Sequence, residues 1–327
     1  MQDKIPLIVI GGPTASGKTA VSVALAKEYG AEIVSADSMQ IYKGLSIATA
    51  KPTPEEMDGV PHHLVDFLEP DQPFSVADYV KLAGEKIRDI CSRGKLPIVC
   101  GGTGLYISSL IDNIHFDDTA GDSEIRARLE AEIAEKGNHA LWEKLRQIDP
   151  ETAQKVHENN TPRVIRALEV YEKTGVPISV HKVNSRREES PYDALIFGLT
   201  FSDRQMLYDR IDLRVDKMLD MGLVSECREV YETGGLATCA QAIGYKELIP
   251  YFEDKAEFSE CISKIKQETR HYAKRQLTWF RRVDGINWIE CDKYGDLKNI
   301  IEKMKVFAAR LTRYSMYGSV ETDPPEG

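Results

Sequence analysis

The feature that most constrains this chain is the glycine-rich segment GPTASGKT at residues 12–19, which fits the phosphate-loop pattern G-x-x-x-x-G-K-S/T. An apolar run at 7–10 precedes it, and a helical pattern at 20–29 follows. In this context, successive backbone N–H groups and the positive end of the helix face an anion. The alternative is a glycine-rich turn that only caps a helix. We expect a diphosphate or triphosphate to be bound by Gly12, Pro13, Thr14, Ala15, Ser16, Gly17, Lys18 and Thr19.

Further short apolar runs lie at 32–35, 97–100, 194–199 and 286–289. They lack polar alternation, which is typical of strands buried on both faces, and helical patterns such as 76–93 separate them. The alternation predicts an α/β fold of the P-loop NTPase-like type, with a parallel sheet flanked by helices. Ligands bind such sheets beyond the carboxyl ends of the strands, where the phosphate loop, Asp37 and Gly101-Gly102-Thr103 follow three of these runs.

The stretch 119–160 differs from the rest of the chain. It contains two charged amphipathic helical patterns, 124–136 and 139–147, and no strand pattern. We expect a helical insertion domain at 119–160 within a core domain formed by 1–118 and 161–312. The polar, proline-rich segment 313–327 is predicted to be a flexible tail.

Composition narrows the class of protein. No apolar run approaches the roughly eighteen residues of a membrane span, and the first residues resemble a strand rather than a signal peptide. The six cysteines lack zinc-finger spacing, which favours reduced thiols in a cytoplasmic protein. The net charge of −10 argues against indiscriminate coating of nucleic acid, so an RNA contact requires a local basic surface.

The phosphate loop alone does not identify its ligand. A P-loop ATPase also has an apolar strand that ends in an acidic Mg²⁺ ligand, whereas the run 97–100 ends in glycines. The carboxylate that does follow a strand is Asp37. A nucleotide-binding or ATP-binding enzyme, such as a small-nucleotide kinase, would therefore lack one of its usual parts.

Eight segments carry a more specific resemblance. They are GPTASGKT (12–19), SADSMQIY (35–42), ATAKP (48–52), PHHLVD (61–66), GGTGLY (101–106), RVIRALEV (163–170), AIGYKE (242–247) and KRQLTWFR (274–281). In this order they resemble the tRNA dimethylallyltransferase family, the prenyl-diphosphate:tRNA isopentenyltransferases. The chain is similar to the shorter bacterial type, without a carboxy-terminal zinc finger.

The resemblance implies transfer of a dimethylallyl group from dimethylallyl diphosphate to N6 of the adenosine that is 3′-adjacent to the anticodon in tRNA, with release of diphosphate. The phosphate loop would then hold the pyrophosphate of the prenyl donor rather than ATP, with Mg²⁺ on Thr19. The expected partners are the anticodon stem-loop of tRNA and dimethylallyl diphosphate, and the expected state is a monomer without membrane attachment.

The resemblance also suggests roles for single residues. Asp37 is a candidate general base, although an Asp-Ser pair is also typical of a cap or turn. Lys18 and Thr19 would stabilise charge on the leaving diphosphate. By the family pattern Arg214 would clamp the diphosphate, the alternative being a surface ion pair with Asp212 or Asp216. Thr103 would order donor or acceptor, or simply belong to a tight turn.

A basic helix is predicted near residues 264–282. At 100° per residue one face collects Ile262, Ile265, Thr269, Tyr272, Gln276 and Phe280, with cations on both flanks. A solvated surface helix is the alternative. Contacts with tRNA are expected from Asp37, Ser38, Met39, Gln40, Arg126, Arg163, Arg166, Lys274, Arg275, Trp279 and Arg281. A polar loop role near Asp66 is expected for His62 and His63, rather than metal binding.

Three other functions remain open from the residues alone: a prenyltransferase that acts on free adenine nucleotides, a P-loop nucleotide kinase, and a non-catalytic RNA-binding module. The basic helix and the helical insertion favour tRNA, since a small acceptor requires neither. A binding module leaves the phosphate loop unexplained.

Overall fold

Six parallel strands form one sheet in the part of the chain that the computed structural model describes, residues 4–116, 121–185, 189–233 and 242–309. In chain order the strands are β1 (Ile5–Gly11), β2 (Glu32–Ser35), β3 (His62–His63), β4 (Pro97–Gly101), β5 (Tyr192–Thr200) and β6 (Asn287–Glu290). Their spatial order is β3-β2-β4-β1-β5-β6. The parallel sheet and the five predicted strands are confirmed, and the short β3 is added.

Both faces of the sheet are buried. On β1, Ile8 and Ile10 pack into one apolar cluster, whereas Leu7 and Val9 pack into another. Ile8 lies in register with Ile98 of β4 and Leu195 of β5, so β1 is a central strand. Alternate side chains of a strand point to opposite faces, which explains why these strands are continuously apolar rather than alternating.

The chain divides into two compact units, Met1–Ile111 with Pro191–Gly327, and Asp112–Ser190. The helices described in the first unit are α1 (Lys18–Tyr29), α2 (Pro54–Met57), α3 (Val76–Ser92), α4 (Gly104–Ile111), α10 (Arg204–Asp220), α11 (Leu223–Glu232), α12 (Tyr245–Phe252), α13 (Phe258–Phe280) and α14 (Leu297–Ala309). Those described in the second are α5 (Ser123–Lys136), α6 (Asn138–Ile148), α7 (Pro150–Lys155), α8 (Thr161–Thr174) and α9 (Ile178–Asn184).

The second unit is larger than the predicted insertion at 119–160. Leu129 of α5 and Leu141 of α6 share an apolar cluster with Val164, Ile165 and Leu168 of α8. Because α8 completes this core, the unit extends to Ser190, and it begins at Asp112, so the predicted boundaries at 119 and 160 are both corrected. The predicted tail at 313–327 lies outside the described residues.

Five cysteines are free thiols, and each is buried or half-buried: Cys91, Cys100, Cys227, Cys261 and Cys291. Cys239 lies outside the described residues. Among the helices that the structure describes, none is long and apolar enough to cross a bilayer.

Candidate active site

The phosphate loop connects β1 to α1 and is shaped by its glycines. Gly17 has a φ of 91°, a left-handed conformation that side chains rarely adopt, directly before the first turn of α1. A Cβ on Gly12 would lie 2.7 Å from the carbonyl oxygen of Leu199, so only glycine fits beside β5. The hydroxyl of Ser16 is buried and has no hydrogen-bond partner among the described residues. Such a donor is suited to an anion in the loop.

Lys18 folds back over this loop, where its Nζ donates to the carbonyl oxygen of Pro13 at 2.7 Å. Burial lowers the pKa of Lys18 to about 8, and the nearby charge of Arg214 lowers it further, while Cys100 and Asp37 oppose the shift. The charge of Lys18 is therefore poorly compensated by the protein itself, and a bound phosphate would stabilise it.

Two arginines of α10 approach the phosphate loop. Burial lowers the pKa of Arg214, and the charges of Asp37 and Glu56 oppose this effect, which places the guanidinium in the electrostatic neighbourhood of Asp37. The alternative of a surface ion pair is not what the structure has, because Asp212 pairs with Arg270 and Asp216 with Lys266.

Arg210, one turn before Arg214, was not predicted. Its Nε donates to the carbonyl oxygen of Ala15 at 2.9 Å, so it braces the loop from α10. The spacing of four residues from Arg214 was the available signal, since it places both side chains on one helix face.

Asp37 forms the turn that the sequence allowed and leaves one carboxylate oxygen without a bond to the described residues. Its Oδ1 accepts the backbone N–H groups of Met39 at 2.9 Å and Gln40 at 3.3 Å, which makes the residue a turn former. Oδ2 accepts no hydrogen bond from the part of the chain that is described. Asp37 is half-buried, so one oxygen is fixed and the other is available to a substrate.

Thr103 ties the end of β4 to the end of β2. Its N–H donates to the carbonyl oxygen of Ala36 at 3.0 Å, and its Oγ1 accepts the N–H of Ser38 at 3.0 Å. The tight turn and the ordering role are thus compatible. The phenols of Tyr106 and Tyr272 lie nearby, and burial, together with the charge of Asp37, raises the pKa of both. Both remain neutral near the carboxylate.

The segment after Asp37 is largely engaged in its own loop. The side-chain amide of Gln40 donates to the carbonyl oxygens of Thr49 at 3.3 Å and Ala50 at 3.0 Å. Met39 packs against an apolar cluster. Of the four residues 37–40, which were predicted to contact tRNA, Asp37 and Ser38 therefore have the freer polar atoms.

Glu226 of α11 also holds this loop and was not predicted. Its carboxylate accepts the N–H groups of Ser46, Ile47 and Ala48 at 2.9, 2.8 and 2.9 Å. The sequence offered no signal for this contact, since the partners are far apart along the chain.

The basic helix is α13, and its predicted buried face is confirmed by Ile265, Gln276 and Phe280. The cations divide into two groups. Lys266 and Arg270 are bound to Asp216 and Asp212 of α10, each pair at 2.6 Å. The cations near the carboxyl end are exposed and form no ion pair within the described ranges: Lys274, Arg275, Arg281 and Arg282.

Trp279 docks α13 on α4. Its indole Nε1 donates to Ser108 Oγ at 3.0 Å, and a Cβ on Gly104 would lie 2.2 Å from the ring. The half-buried indole therefore has a packing role that the sequence did not reveal, beside the RNA contact predicted for it.

The second unit holds the other predicted RNA-binding arginines. Arg126 and Arg166 bind the carboxylate of Glu169 at 3.0 and 3.1 Å, and Glu169 is only 1% exposed. Both arginines therefore compensate a buried charge within their own unit, whereas Arg163 is exposed.

The sequence predicted a polar loop near Asp66 for the two histidines, and this placement was wrong. They form β3, where His63 Nε2 lies 2.8 Å from Glu32 and His62 Nδ1 lies 2.8 Å from the carbonyl oxygen of Val60. Asp66 instead pairs with Lys51.

Comparison with known proteins identifies the family. The IPP transferase family model matches residues 40–283, and the isopentenyl transferase model matches residues 5–66. The tRNA dimethylallyltransferase of Acetivibrio thermocellus is 49% identical over 93% of this chain and 97% of its own length. That of Bacillus velezensis is 47% identical over 93% of this chain and 96% of its own length.

The chain belongs to the IPP transferase family.

Solved structures agree with this assignment. The tRNA isopentenylpyrophosphate transferase of Bacillus halodurans superposes with a TM-score of 0.70 at 43% identity, over 96% of this chain and 99% of that one. A eukaryotic dimethylallyltransferase acting on tRNA gives a TM-score of 0.79 at 30% identity, over 97% of this chain and 81% of that one. The predicted family, P-loop NTPase-like fold and reaction class, prenyl transfer to tRNA, are therefore confirmed for this IPP transferase.

Proposed function

We propose that this IPP transferase transfers the dimethylallyl group of dimethylallyl diphosphate to N6 of the adenosine immediately 3′ of the anticodon. The observation that carries this proposal is the convergence of three strand ends. The phosphate loop after β1, Asp37 after β2 and Thr103 after β4 meet at one edge of the sheet, with Arg214 added from α10. An anion site and a free carboxylate oxygen thus lie in one electrostatic neighbourhood.

The reaction is a displacement at the allylic carbon. N6 forms a bond to C1 of the dimethylallyl group, and the bond from C1 to the diphosphate oxygen breaks with its electrons leaving on the diphosphate. The N6 proton passes to Oδ2 of Asp37. An adenine amino group is a weak nucleophile, and a positioned carboxylate that accepts its proton contributes roughly 10²–10⁴-fold to the rate.

Charge that develops on the departing diphosphate is met by donors that already face the loop. Burial lowers the pKa of both Lys18 and Arg214, so their charge is better compensated when the anion is present. The hydroxyl of Ser16 is a further donor, buried without a partner in the described chain. Interactions that strengthen as charge grows accelerate the chemical step.

The residues present fit a magnesium ion. Thr19 is on the first turn of α1, and its hydroxyl makes no hydrogen bond to the described residues. No group of three or more His, Cys, Asp or Glu side chains in the described ranges forms a protein cage for a metal. Mg²⁺ normally takes one or two protein ligands together with water and phosphate oxygens, so we assign Thr19 as its ligand. When bound, Mg²⁺ neutralises charge on the diphosphate oxygens.

For the acceptor we propose an anticodon stem-loop that lies along the exposed cations of α13. Proteins recognise RNA bases mainly in unpaired loops, where a base can leave its stack. The names of the related proteins support tRNA over free adenine nucleotides or a kinase substrate. We further propose that the enzyme acts as a monomer in the cytoplasm.

The decisive assay supplies labelled dimethylallyl diphosphate together with unmodified tRNA, AMP or ATP. We expect label on N6 of the adenosine beside the anticodon, with ATP left intact. Faster labelling of AMP would support a free-nucleotide prenyltransferase. Release of ADP coupled to turnover would support a kinase. Light scattering of the purified enzyme tests for the monomer.

A further inference from the structure

The side chain of Gln276 bridges two loops of the site from the buried face of α13. Its Oε1 accepts the backbone N–H of Thr14 at 2.8 Å, and its Nε2 donates to the carbonyl oxygen of Gly102 at 3.0 Å. Thr14 belongs to the phosphate loop, and Gly102 belongs to the loop after β4. This single amide, only 5% exposed, therefore joins the loop proposed to hold the prenyl diphosphate to the loop beside the proposed adenosine site.

Tyr272, one turn earlier on α13, lies beside this bridge. Burial raises the pKa of its phenol, and the side chains of Thr103 and Gln276 are near enough to oppose that shift. Thr103 Oγ1 in turn accepts the N–H of Ser38, which neighbours Asp37. The hydrogen bonds of Gln276 thus join the phosphate loop to the loop after β4, and Thr103 of that loop holds the segment that carries the proposed base.

The glycine at position 102 fits this arrangement closely. A Cβ there would lie 2.1 Å from Nε2 of Gln276, so a side chain at 102 would push the end of the amide away from the carbonyl oxygen. Glycine therefore leaves room for the bridge as well as for any approach of substrate. The lack of a side chain at 102 thus permits the hydrogen bond from Nε2 of Gln276 to the carbonyl oxygen of Gly102.

The bridge also changes how the phosphate loop is used. The N–H of Thr14 is committed to Gln276, so it is not free for a phosphate oxygen. The hydrogen bond instead fixes the position of the loop. In-line displacement needs N6, C1 and the leaving diphosphate oxygen on one line, and an error of about 1 Å in such geometry can cost roughly 10²-fold in rate.

We propose that Gln276 is a positioning residue that sets the distance between the diphosphate-holding loop and the Ser38–Asp37–Thr103 side of the site. This inference rests on the proposed function, because it assigns Gln276 to the geometry of that reaction. Gln276 acts through Thr14 and Gly102, and its loss lowers the rate of transfer without weakening the binding of either substrate.

The test uses two substitutions of Gln276 and one control on the same helix. Gln276→Met keeps the length but removes both hydrogen bonds. Gln276→Glu keeps an acceptor for Thr14 but, when ionised, repels the carbonyl oxygen of Gly102. Gln267→Met alters an exposed glutamine of α13 and is the matched control. Each is measured for single-turnover transfer, for binding of dimethylallyl diphosphate and tRNA, and for amide exchange.

We expect Gln276→Met to transfer about 10–100-fold more slowly than wild type, with both dissociation constants within about threefold. Peptides that cover 12–19 and 101–104 should exchange faster than in wild type. The Gln276→Glu rate, as a fraction of the wild-type rate, should recover as the pH is lowered, because a protonated carboxyl group can donate to Gly102 again. Gln276→Met should show no such recovery.

Two results of the activity and binding measurements would overturn the proposal. One is wild-type transfer by a folded Gln276→Met, and the other is a rate loss that weaker substrate binding fully explains. The exchange measurement is independent of activity: unchanged exchange at 12–19 refutes the bridge even if no substrate has been identified. Failure of the proposed function is distinct, since it would appear as a wild-type enzyme that does not label tRNA.

Discussion

The two carboxylate oxygens of Asp37 do different work. Oδ1 closes the turn by accepting the N–H groups of Met39 and Gln40, and Oδ2 is left for the substrate. The turn aims the free oxygen, so the local propensity of an Asp-Ser pair and its proposed chemistry support each other.

The substitution Asp37→Asn separates these roles. The amide oxygen can still accept both backbone N–H groups, while the NH₂ group cannot take the N6 proton. We expect tRNA binding to persist and single-turnover transfer to fall by about 10²–10⁴-fold. Asp37→Ala, which also opens the turn, should disturb amide exchange at 38–40 as well. A near-normal rate for Asp37→Asn would leave the residue with the turn alone.

Lys18 makes diphosphate binding depend on pH. Burial lowers the pKa of Lys18 to about 8, and a bound anion favours the charged form. The pKa is therefore higher in the complex, so affinity should fall by up to about tenfold per pH unit as the pH rises above 8. Calorimetric titration at pH 7, 8 and 9 measures this loss.

Lys18→Arg is the control for this titration, because arginine stays charged throughout the range. Ionisation of the ligand itself affects both proteins equally and cancels in the ratio of their affinities. If the ratio of the two affinities is constant with pH, Lys18 is already fully charged before the diphosphate binds.

Sequence patterns identified those site residues that follow strands directly. The phosphate loop, Asp37 and Thr103 were found because a motif or a strand end marks them. Arg210, Glu226 and the bridging role of Gln276 were missed because each contacts a loop that is distant in the chain. The 100° repeat placed Gln276 on the buried face of α13, but the loop that a buried polar side chain contacts is not known until the packing of its helix is known.

At the scale of elements, α13 shows how far helical periodicity can be used. Its buried face followed correctly from the 100° repeat, since that face is intrinsic to the helix. The status of its cations depended on α10, whose Asp212 and Asp216 neutralise Arg270 and Lys266. The free positive charge is consequently confined to the carboxyl end.

This division predicts which cations bind RNA. Neutralising Lys274 and Arg281 together should weaken tRNA binding and reduce the slope of log affinity against log salt by up to about 1.5, the amount for two phosphate contacts. Salt titrations of tRNA binding measure the slope. Dimethylallyl diphosphate affinity should hardly change, since the phosphate loop has its own cations.

The double variant Lys266→Ala with Arg270→Ala removes the same charge from the paired part of α13. We expect it to change the salt slope much less, because these cations are already engaged by α10. Equal effects of the two double variants would mean that the helix acts through its total charge rather than through placed contacts.

For the whole molecule, the sequence indicated an inserted helical unit but misplaced its end. The apolar pattern of α8 suits either unit, and only its contacts with α5 and α6 assign it. The sheet was better predicted, because continuous apolar runs are characteristic of strands covered on both faces. The proposed site residues then lie at the carboxyl ends of the strands of that sheet.

An ionic cluster lies at the other ends of the strands, where β2 begins. Glu32, the first residue of β2, is 3% exposed and accepts from Arg93 at 2.5 and 2.8 Å, from Lys95 at 2.8 Å and from His63 at 2.8 Å. The hydrogen bond from Arg93, followed by those from Lys95 and His63, holds the pKa of Glu32 well below its ordinary 4.5, although burial opposes them. The cluster joins β2, β3 and the turn before β4.

Glu32 should therefore make the stability of the first unit sensitive to acid but leave its activity alone. A lowered pKa in the folded state means that the stabilisation is fully present above about pH 4.5 and is lost as the pH falls below that value. We expect Glu32→Gln to cost about 1–3 kcal/mol in the free energy of unfolding at pH 7, since buried donors lose a charged acceptor. The difference from wild type should shrink towards pH 3. Urea unfolding at pH 7, 5 and 3, with amide exchange of the β2 peptide to report the first unit, measures this.

Glu69→Gln, which breaks the exposed pair with Lys43, is the control and should change stability little at any pH. Folded Glu32→Gln should transfer the prenyl group at the wild-type rate, because the proposed active site lies at the carboxyl ends of the strands and Glu32 lies at the amino end of β2. A loss of activity without a loss of stability would mean that the amino edge of the sheet also shapes the site.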